Sequence, residues 1–249
     1  MTAASWFDQV ASSYDSLWSS APAGRLQREA FWRIAGSLFR AGDRVLDLGC
    51  GIGDDAVRLS GMGIDISAID RSPEMVRIAR ARGIDARVLR IEDVRVLSPR
   101  FDGALSNFGA MNCVGRLPDI REPLANLIRP GGYLALCLMG RFCLWETVWY
   151  AFRGEFGKAA RRWKGETVSQ TGICLRYPLA ADVRDAFAPD FRLVTFAGIG
   201  VLVPPSFVTG VPERVMSAFA EFDRRMASLP VFRSMSDHRL LVFQREERP

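Results

Sequence analysis

The stretch that most constrains this chain is Val45-Leu46-Asp47-Leu48-Gly49-Cys50-Gly51-Ile52-Gly53-Asp54-Asp55. An apolar run containing one acid ends in three glycines at every second position, and a helix-like segment (Ala56, Val57, Leu59) follows at once. Such a run predicts a buried strand that stops at a tight turn, where glycine lets a ligand touch bare backbone. The N–H groups of the turn and of the next helix's first residues then face that ligand.

Around this turn the rhythm is strand, turn, helix. The pattern predicts a helix over 25–40, with Leu26, Ala30, Ile34 and Leu38 at helical spacing, and then the strand at 44–48. A helix at 54–61 precedes a strand at 65–69 that stops at Asp70. Ser72-Pro73-Glu74 supplies a capping residue and a first-turn proline for a helix reaching Arg82. A strand at 85–90 leads into Ile91-Glu92-Asp93 on a loop. A fourth strand at 101–106 ends at Asn107, a helix spans about 119–128, and Arg129-Pro130-Gly131-Gly132 turns into a strand at 133–139. This alternation predicts an α/β fold with a doubly wound, Rossmann-like parallel sheet covered on both faces. After Met139 it breaks. Residues 140–178 carry Trp145, Trp149, Phe152, Phe156 and Trp163 with basic residues between, and pattern returns as a helix at 180–187 and a strand within 191–203. An insertion over 204–236 holds a helix at about 211–228, and a strand at 238–244 follows. The chain reads as a single domain over 1–249, with an N-terminal helical arm within 1–40.

Composition narrows the class. The net charge of +5 is almost all arginine, since Lys158 and Lys164 are the only lysines, and the arginines scatter rather than form a stripe. Nucleic-acid binding is therefore not expected. Cys50, Cys113, Cys137, Cys143 and Cys174 show neither a Cys-x-x-Cys pair nor metal spacing with His238, so no metal is expected. The absence of a signal-like start or a long apolar run leads to the expectation of a cytoplasmic protein.

Two cofactor classes use such a turn. Gly51-Ile52-Gly53-Asp54-Asp55-Ala56 fits the dinucleotide fingerprint, a weak signal that keeps an NAD(P)-dependent oxidoreductase open. Asp47 within the strand, and Asp54 and Asp55 at the helix start, are poorly suited to a pyrophosphate. They suit a phosphate-free ligand with an ammonium and a sulfonium.

Val45–Gly53 resembles the first motif of class I S-adenosylmethionine-dependent methyltransferases, of the small-molecule and quinone type. The resemblance covers roughly residues 5–140 and the final strand, and it implies seven strands with the last antiparallel. It implies that Asp70, followed by Arg71, takes the two ribose hydroxyls, which a carboxylate can bind in bidentate fashion. Ile91 and Glu92 are expected at the adenine, although Arg90 occupies the family's usual acidic position. Asn107 and Phe108 are expected at the methionine moiety, with Asp47 and the turn residues Gly49, Cys50, Gly51 and Gly53. Phe7–Tyr14 resembles the family's N-terminal arm, whose tyrosine (here Tyr14) approaches the methionine end.

Ligands of open parallel sheets bind outside the carboxyl ends of the strands. The insertions at 140–178 and 204–236 should both roof that face, with Trp145, Trp149 and Phe152 as substrate-lid residues. The aromatic face fits either a hydrophobic, even lipid-like, small acceptor or a lid helix packed on the core. His238 would sit at the rim, as a general base or as a packing residue. The interspersed arginines leave peripheral membrane contact open, and a non-catalytic RNA- or membrane-binding module on the same fold is the remaining alternative. Composition carries no information on oligomeric state.

Overall fold

The computed structural model describes residues 3–98, 100–169 and 172–247. The N-terminal arm holds α1 (Ala3–Val10), a short 3-10 turn and a π-helical turn, and leads into α2 (Pro22–Ala35). The alternating core follows: β1 (Arg44–Leu48), α3 (Asp54–Gly61), β2 (Asp65–Asp70), α4 (Pro73–Ala81), β3 (Asp85–Val88), β4 (Phe101–Ser106), α5 (Leu117–Leu127) and β5 (Ile128–Met139). The first insertion contributes α6 (Leu144–Phe152), α7 (Phe156–Ala159), a 3-10 turn at Arg161–Lys164 and a two-stranded hairpin, β6 (Glu166–Val168) with β7 (Cys174–Arg176). After α8 (Ala180–Phe187) and β8 (Phe191–Ile199), the second insertion holds α9 (Glu213–Met226) and α10 (Pro230–Met235), and β9 (His238–Arg245) ends the sheet.

The main sheet has seven strands in the order β3-β2-β1-β4-β5-β9-β8. β1 pairs in parallel with both β2 and β4, so the winding direction reverses between β1 and β4. That reversal opens a crevice at the carboxyl ends of these two strands, the position where such sheets hold ligands. β9 runs antiparallel to both β5 and β8, which makes the last strand the antiparallel one. Its first residue, His238, therefore lies level with Met139 and Ile199, the last residues of its two neighbours.

Side chains alternate across the strands and build a core on each face. Val45, Leu105, Ala135 and Val242 pack with Phe31 and Trp32 of α2, Leu59 of α3 and Ala79 of α4. Leu46, Leu48, Leu136 and Phe243 pack with Ile120 and Leu124 of α5 and Val183 and Phe187 of α8.

Several elements differ from the sequence expectation for local reasons. The helix expected over 25–40 runs from Pro22 to Ala35 instead: Pro22 occupies the first turn of α2, where its missing N–H costs nothing. Ile91–Val96 forms a 3-10 helix rather than a loop. Arg129–Gly132 lies within β5 as an irregularity, because pairing passes from Phe101–Ile128 directly to Gly103–Tyr133 and Gly131 takes φ 76°. The β6–β7 hairpin and α10 have no counterpart in the expected pattern.

Candidate active site

The crevice between β1 and β4 is a cleft of about 340 Å³ lined by Tyr14, Arg28, Asp47, Gly49, Cys50, Gly51, Ile52, Asp54, Asp55, Asn107 and Phe108. Its floor is the glycine turn. Gly49, Gly51 and Gly53 have φ of 78°, 54° and 84°, left-handed values that disfavour a side chain. The N–H groups of Gly49 and Cys50 both donate to the carbonyl of Ile69, at 2.8 and 2.9 Å, which ties the turn to β2. A Cβ on Gly51 would meet nothing within 4 Å. The space over this backbone is open, as a ligand cradle requires.

Asp70 at the end of β2 braces the turn. Its Oδ2 accepts from the N–H of Gly51 and its Oδ1 from that of Ser72, both at 2.9 Å. Burial pushes its carboxyl up, and these two hydrogen bonds oppose the shift. Each oxygen keeps a lone pair for a further donor.

Asp47 is the anomalous group. It is 2% exposed, and its Oδ2 has no hydrogen-bond partner. Burial, together with the nearby charges of Asp55 and Asp70, raises its carboxyl well above the usual range, and Arg28 offsets this only in part. A buried acceptor without a donor is rare in folded proteins because its lost hydration is not replaced. A cation entering the cleft would replace it.

Asp54 and Asp55 behave differently from the sequence expectation. Asp55 accepts from Arg28 Nη1 at 2.5 Å, Trp32 Nε1 at 2.7 Å and Asn107 Nδ2 at 3.0 Å. Asp54 pairs with Arg82 at 2.7 Å and with Arg28 at 3.4 Å. Arginines thus neutralise both acids, and they would not repel a phosphate as bare charges would. The discrimination against a pyrophosphate falls to Asp47 alone. Arg28 was not singled out in the sequence, since α2 reads there only as an amphipathic helix. The available signal was the pair of acids in the first turn of α3, which calls for a nearby cation.

Phe108 closes the cleft on the β4 side with φ 48°, the only positive φ at a non-glycine among the described residues. Strain of this kind persists where surroundings over-determine the backbone. Here Asn107 Oδ1 accepts from the Phe108 N–H at 3.0 Å, the Arg28 guanidinium lies 5.0 Å from the ring centre, and His238 meets it edge-on at 5.2 Å. Tyr14, from the arm, lines the opposite side, and burial pushes its phenol up to about 12. The arm is held there by Asp8, whose Oδ1 accepts from Ser72 Oγ at 2.5 Å and from the N–H of Glu74 at 3.1 Å, capping α4. Tyr14 packs beside a small cluster of Ala11, Ile52 and Met75.

The expected adenine-side residues lie outside this cleft. Ile91 is buried in the core, with its Cδ1 3.6 Å from where a Cβ on Gly49 would sit. Glu92 pairs with Arg90 at 3.3 Å and accepts from the N–H of Gly115 at 3.3 Å. Arg71 follows Asp70 and keeps a buried Nε without a partner.

His238 sits beside a buried ionic chain. Its Nδ1 lies 3.3 Å from Asp237 Oδ2, outside hydrogen-bond geometry. Asp237 also receives Arg162 Nη2 at 2.8 Å, and Arg162 reaches back to Glu146 of α6 at 2.8 Å. Burial alone would raise the Asp237 carboxyl; the charges of His238 and Arg162 hold it well below the usual range instead. The chain links the first insertion to the head of β9. Trp145 links the two insertions, its Nε1 donating to the Leu202 carbonyl at 2.7 Å and its ring lying 6.4 Å from Phe219. Trp149 is half-buried under Arg153, and Phe152 is 89% exposed. None of these three lines the cleft.

Residues 45–132 match the family described as a methyltransferase domain. That stretch of the chain is similar to a methyltransferase domain. The glycine turn, the β2 acid and the β1 and β4 ends of the crevice fall within the matched stretch, whereas Tyr14 and Arg28 lie outside it. A ubiquinone biosynthesis O-methyltransferase of Xanthomonas oryzae pv. oryzae is 33% identical over 117 residues, covering 43% of this chain and 48% of the relative. The alignment thus spans about half the length of that relative. The fold recurs more widely: an S-adenosylmethionine-dependent methyltransferase from Mesorhizobium loti superposes with a TM-score of 0.62 at 16% identity, over 87% of this chain and 98% of that one. The [4+2]-cyclase SpnF superposes at 0.57 with 19% identity, over 89% and 82%. A fold shared with a cyclase leaves activity to be argued from the site.

S-adenosylmethionine, named for the Mesorhizobium loti neighbour, fits the residues present here. The open space over Gly51 accommodates a ligand against backbone, and the unpartnered Oδ2 of Asp47 matches a ligand that carries cationic donors and no phosphate. Among the described residues no group of three or more His, Cys, Asp or Glu could hold a metal ion.

Proposed function

We propose that this protein transfers a methyl group from S-adenosylmethionine to a small hydrophobic or ring-containing molecule. The observation that carries the reading is Asp47, a buried acid whose Oδ2 has no hydrogen-bond partner, beneath the glycine turn. An acid at the end of β2 serves nicotinamide enzymes equally well, so Asp70 does not discriminate. Asp47 does, because its buried Oδ2 lacks a donor, which an ammonium-bearing ligand can supply and a pyrophosphate, offering only acceptors, cannot. The family match is to methyltransferases, and nothing beyond the Gly51–Ala56 fingerprint favours the oxidoreductase alternative.

In this reading Asp70 holds the ribose hydroxyls, and Ile91 and Glu92 flank the adenine with Arg71 nearby. Asp47, Asn107, Phe108 and Tyr14 surround the methionine moiety, over the backbone of Gly49, Cys50, Gly51 and Gly53. Bound S-adenosylmethionine supplies an electrophilic methyl group for in-line displacement, a reaction governed mainly by alignment. Asp55 fixes that alignment indirectly, since it holds Asn107 and Arg28 around the strained Phe108. His238 is the candidate base for an acceptor that must lose a proton, such as a phenol, with Asp237 beside its Nδ1. The Xanthomonas relative's name, an O-methyltransferase of ubiquinone biosynthesis, supports an oxygen acceptor on a ring. A lipid-like acceptor would bring the protein to a membrane surface.

Transfer of labelled methyl from S-adenosylmethionine, screened over small phenols, quinols and amines, tests the proposal. Label is expected in a phenolic or quinol product. Transfer to no small acceptor, with the label remaining on the cofactor, would refute it.

A further inference from the structure

The first insertion has a surface unlike the rest of the molecule. Residues 140–178 hold seven Arg or Lys against three Glu, a net of +4 within a chain of net +5, and both of its lysines. Glu146, one of the three acids, is buried against Arg161 and Arg162; of the other two, Glu155 pairs with Lys158 and Glu166 lies 3.8 Å from Arg176, which among the described residues leaves Arg153 and Lys164 as the unpaired surface excess beside the rings. The apolar content is equally uneven. Phe152 is 89% exposed, Phe156 70% and Trp163 52%. The two phenylalanines are four residues apart, Phe152 at the last turn of α6 and Phe156 at the first residue of α7. α7 folds back on α6, since Lys158 lies 5.4 Å and Arg161 5.7 Å from the ring centre of Tyr150. Arg153, Lys158 and Lys164 are exposed among these rings.

Single exposed apolar residues need no explanation, but several large rings together on one short segment do. A lid helix packed on the core, one of the two readings of this aromatic run, accounts for Trp145 and Trp149 but not for Phe152 or Phe156. Aromatic rings bounded by Lys and Arg suit a boundary where one side is apolar and the other carries anionic headgroups, with the long basic side chains reaching to the charges. We propose that the α6–α7 face docks on an anionic phospholipid bilayer. Charge complementarity selects this occupant: basic residues near a membrane surface are drawn to its anionic lipids, while the rings enter the headgroup boundary. No described helix is long and apolar enough to cross a membrane, so contact of this kind is peripheral. The insertion starts from the carboxyl end of β5 and is tied through Arg162 to Asp237, so docking would hold the head of β9, next to the cleft, near the bilayer. The inference concerns this surface and stands whether or not the cleft transfers methyl groups.

Flotation of the full chain with vesicles tests it. With equal parts phosphatidylglycerol and phosphatidylcholine at 0.1 M salt the protein should float, and with phosphatidylcholine alone it should stay at the bottom. Phe152→Ser/Phe156→Ser should partition at least tenfold more weakly while keeping the wild-type melting midpoint, since both rings already stand in solvent. Lys158→Glu/Lys164→Glu should lose the preference for the anionic vesicles, and 0.5 M salt should weaken the wild type likewise. Equal flotation with neutral vesicles, no flotation, or a double phenylalanine variant that floats like wild type would overturn the proposal. So would salt-sensitive binding to single-stranded RNA by a protein that does not float.

Discussion

Arg162→Met cuts the link between the first insertion and the head of β9, and its cost can be worked from the contacts. The guanidinium donates from Nε to Glu146 Oε2 at 2.9 Å, from Nη1 to the Asp237 carbonyl at 2.9 Å and from Nη2 to Asp237 Oδ1 at 2.8 Å. The side chains of Arg162, Glu146 and Asp237 are 5%, 2% and 6% exposed, so solvent screens little. Removing one member of a buried ion pair costs about 3–5 kcal/mol, most of it the penalty on the partner left behind. Glu146 keeps Arg161 at 2.6 Å, and Asp237 keeps His238 at 3.3 Å and Gln27 at 3.4 Å, which places the loss near the lower end, about 3 kcal/mol. For a chain of this length that corresponds to a fall of roughly 6–12 °C in melting midpoint. The pH dependence has a definite sign. Asp237 has a depressed folded pKa, held down by His238 and Arg162 against the effect of burial. Its contribution is therefore present above the unfolded value of about 3.9 and is lost as pH falls through the lower folded value. The gap between wild type and Arg162→Met, measured by urea unfolding, should be full at pH 7 and shrink below about pH 4. A loss under about 1 kcal/mol, or a gap that does not change with pH, would refute the description of this chain as a coupled buried network.

Asp47→Asn separates stability from binding. Burial raises the Asp47 carboxyl, so wild type loses stability as pH rises from about 3.9 toward the folded value, and the amide variant should be free of that loss and at least as stable at pH 7. Cofactor affinity in wild type should increase with pH as Asp47 ionises, whereas calorimetry on the variant should show weaker, pH-independent binding; equal affinities would remove Asp47 from the site. His238→Gln should keep cofactor affinity and lower turnover at least a hundredfold for a phenolic acceptor, as measured by labelled methyl transfer, because a general base contributes about that much or more. Unchanged turnover would make His238 a packing residue against Phe108.

The core of the fold was legible because its signals are local. Apolar strands, glycine turns and the Ser72-Pro73 cap each determine their own element, and β1 to β4 follow the expected order. The insertions were legible only as breaks in the rhythm. The β6–β7 hairpin is too short for a period to register, and α10 spans only Pro230–Met235. At the site, Asp47 and Asp70 stood out because strand ends and glycine turns announce them. The partners of Asp55 could not, since Arg28 and Trp32 lie more than twenty residues upstream and meet it only when α2 packs beside α3. Asp8 likewise acquires its role as a cap of α4 only through docking of the arm.

The central claim, a cleft built for a phosphate-free adenosyl ligand, is tested most directly by titration calorimetry of wild type and Asp70→Ala with S-adenosylhomocysteine and with NADH. Wild type is expected to bind S-adenosylhomocysteine and not NADH, and Asp70→Ala to bind it at least tenfold more weakly while retaining the fold. Binding of NADH, or no binding of S-adenosylhomocysteine by the folded wild type, would contradict the account.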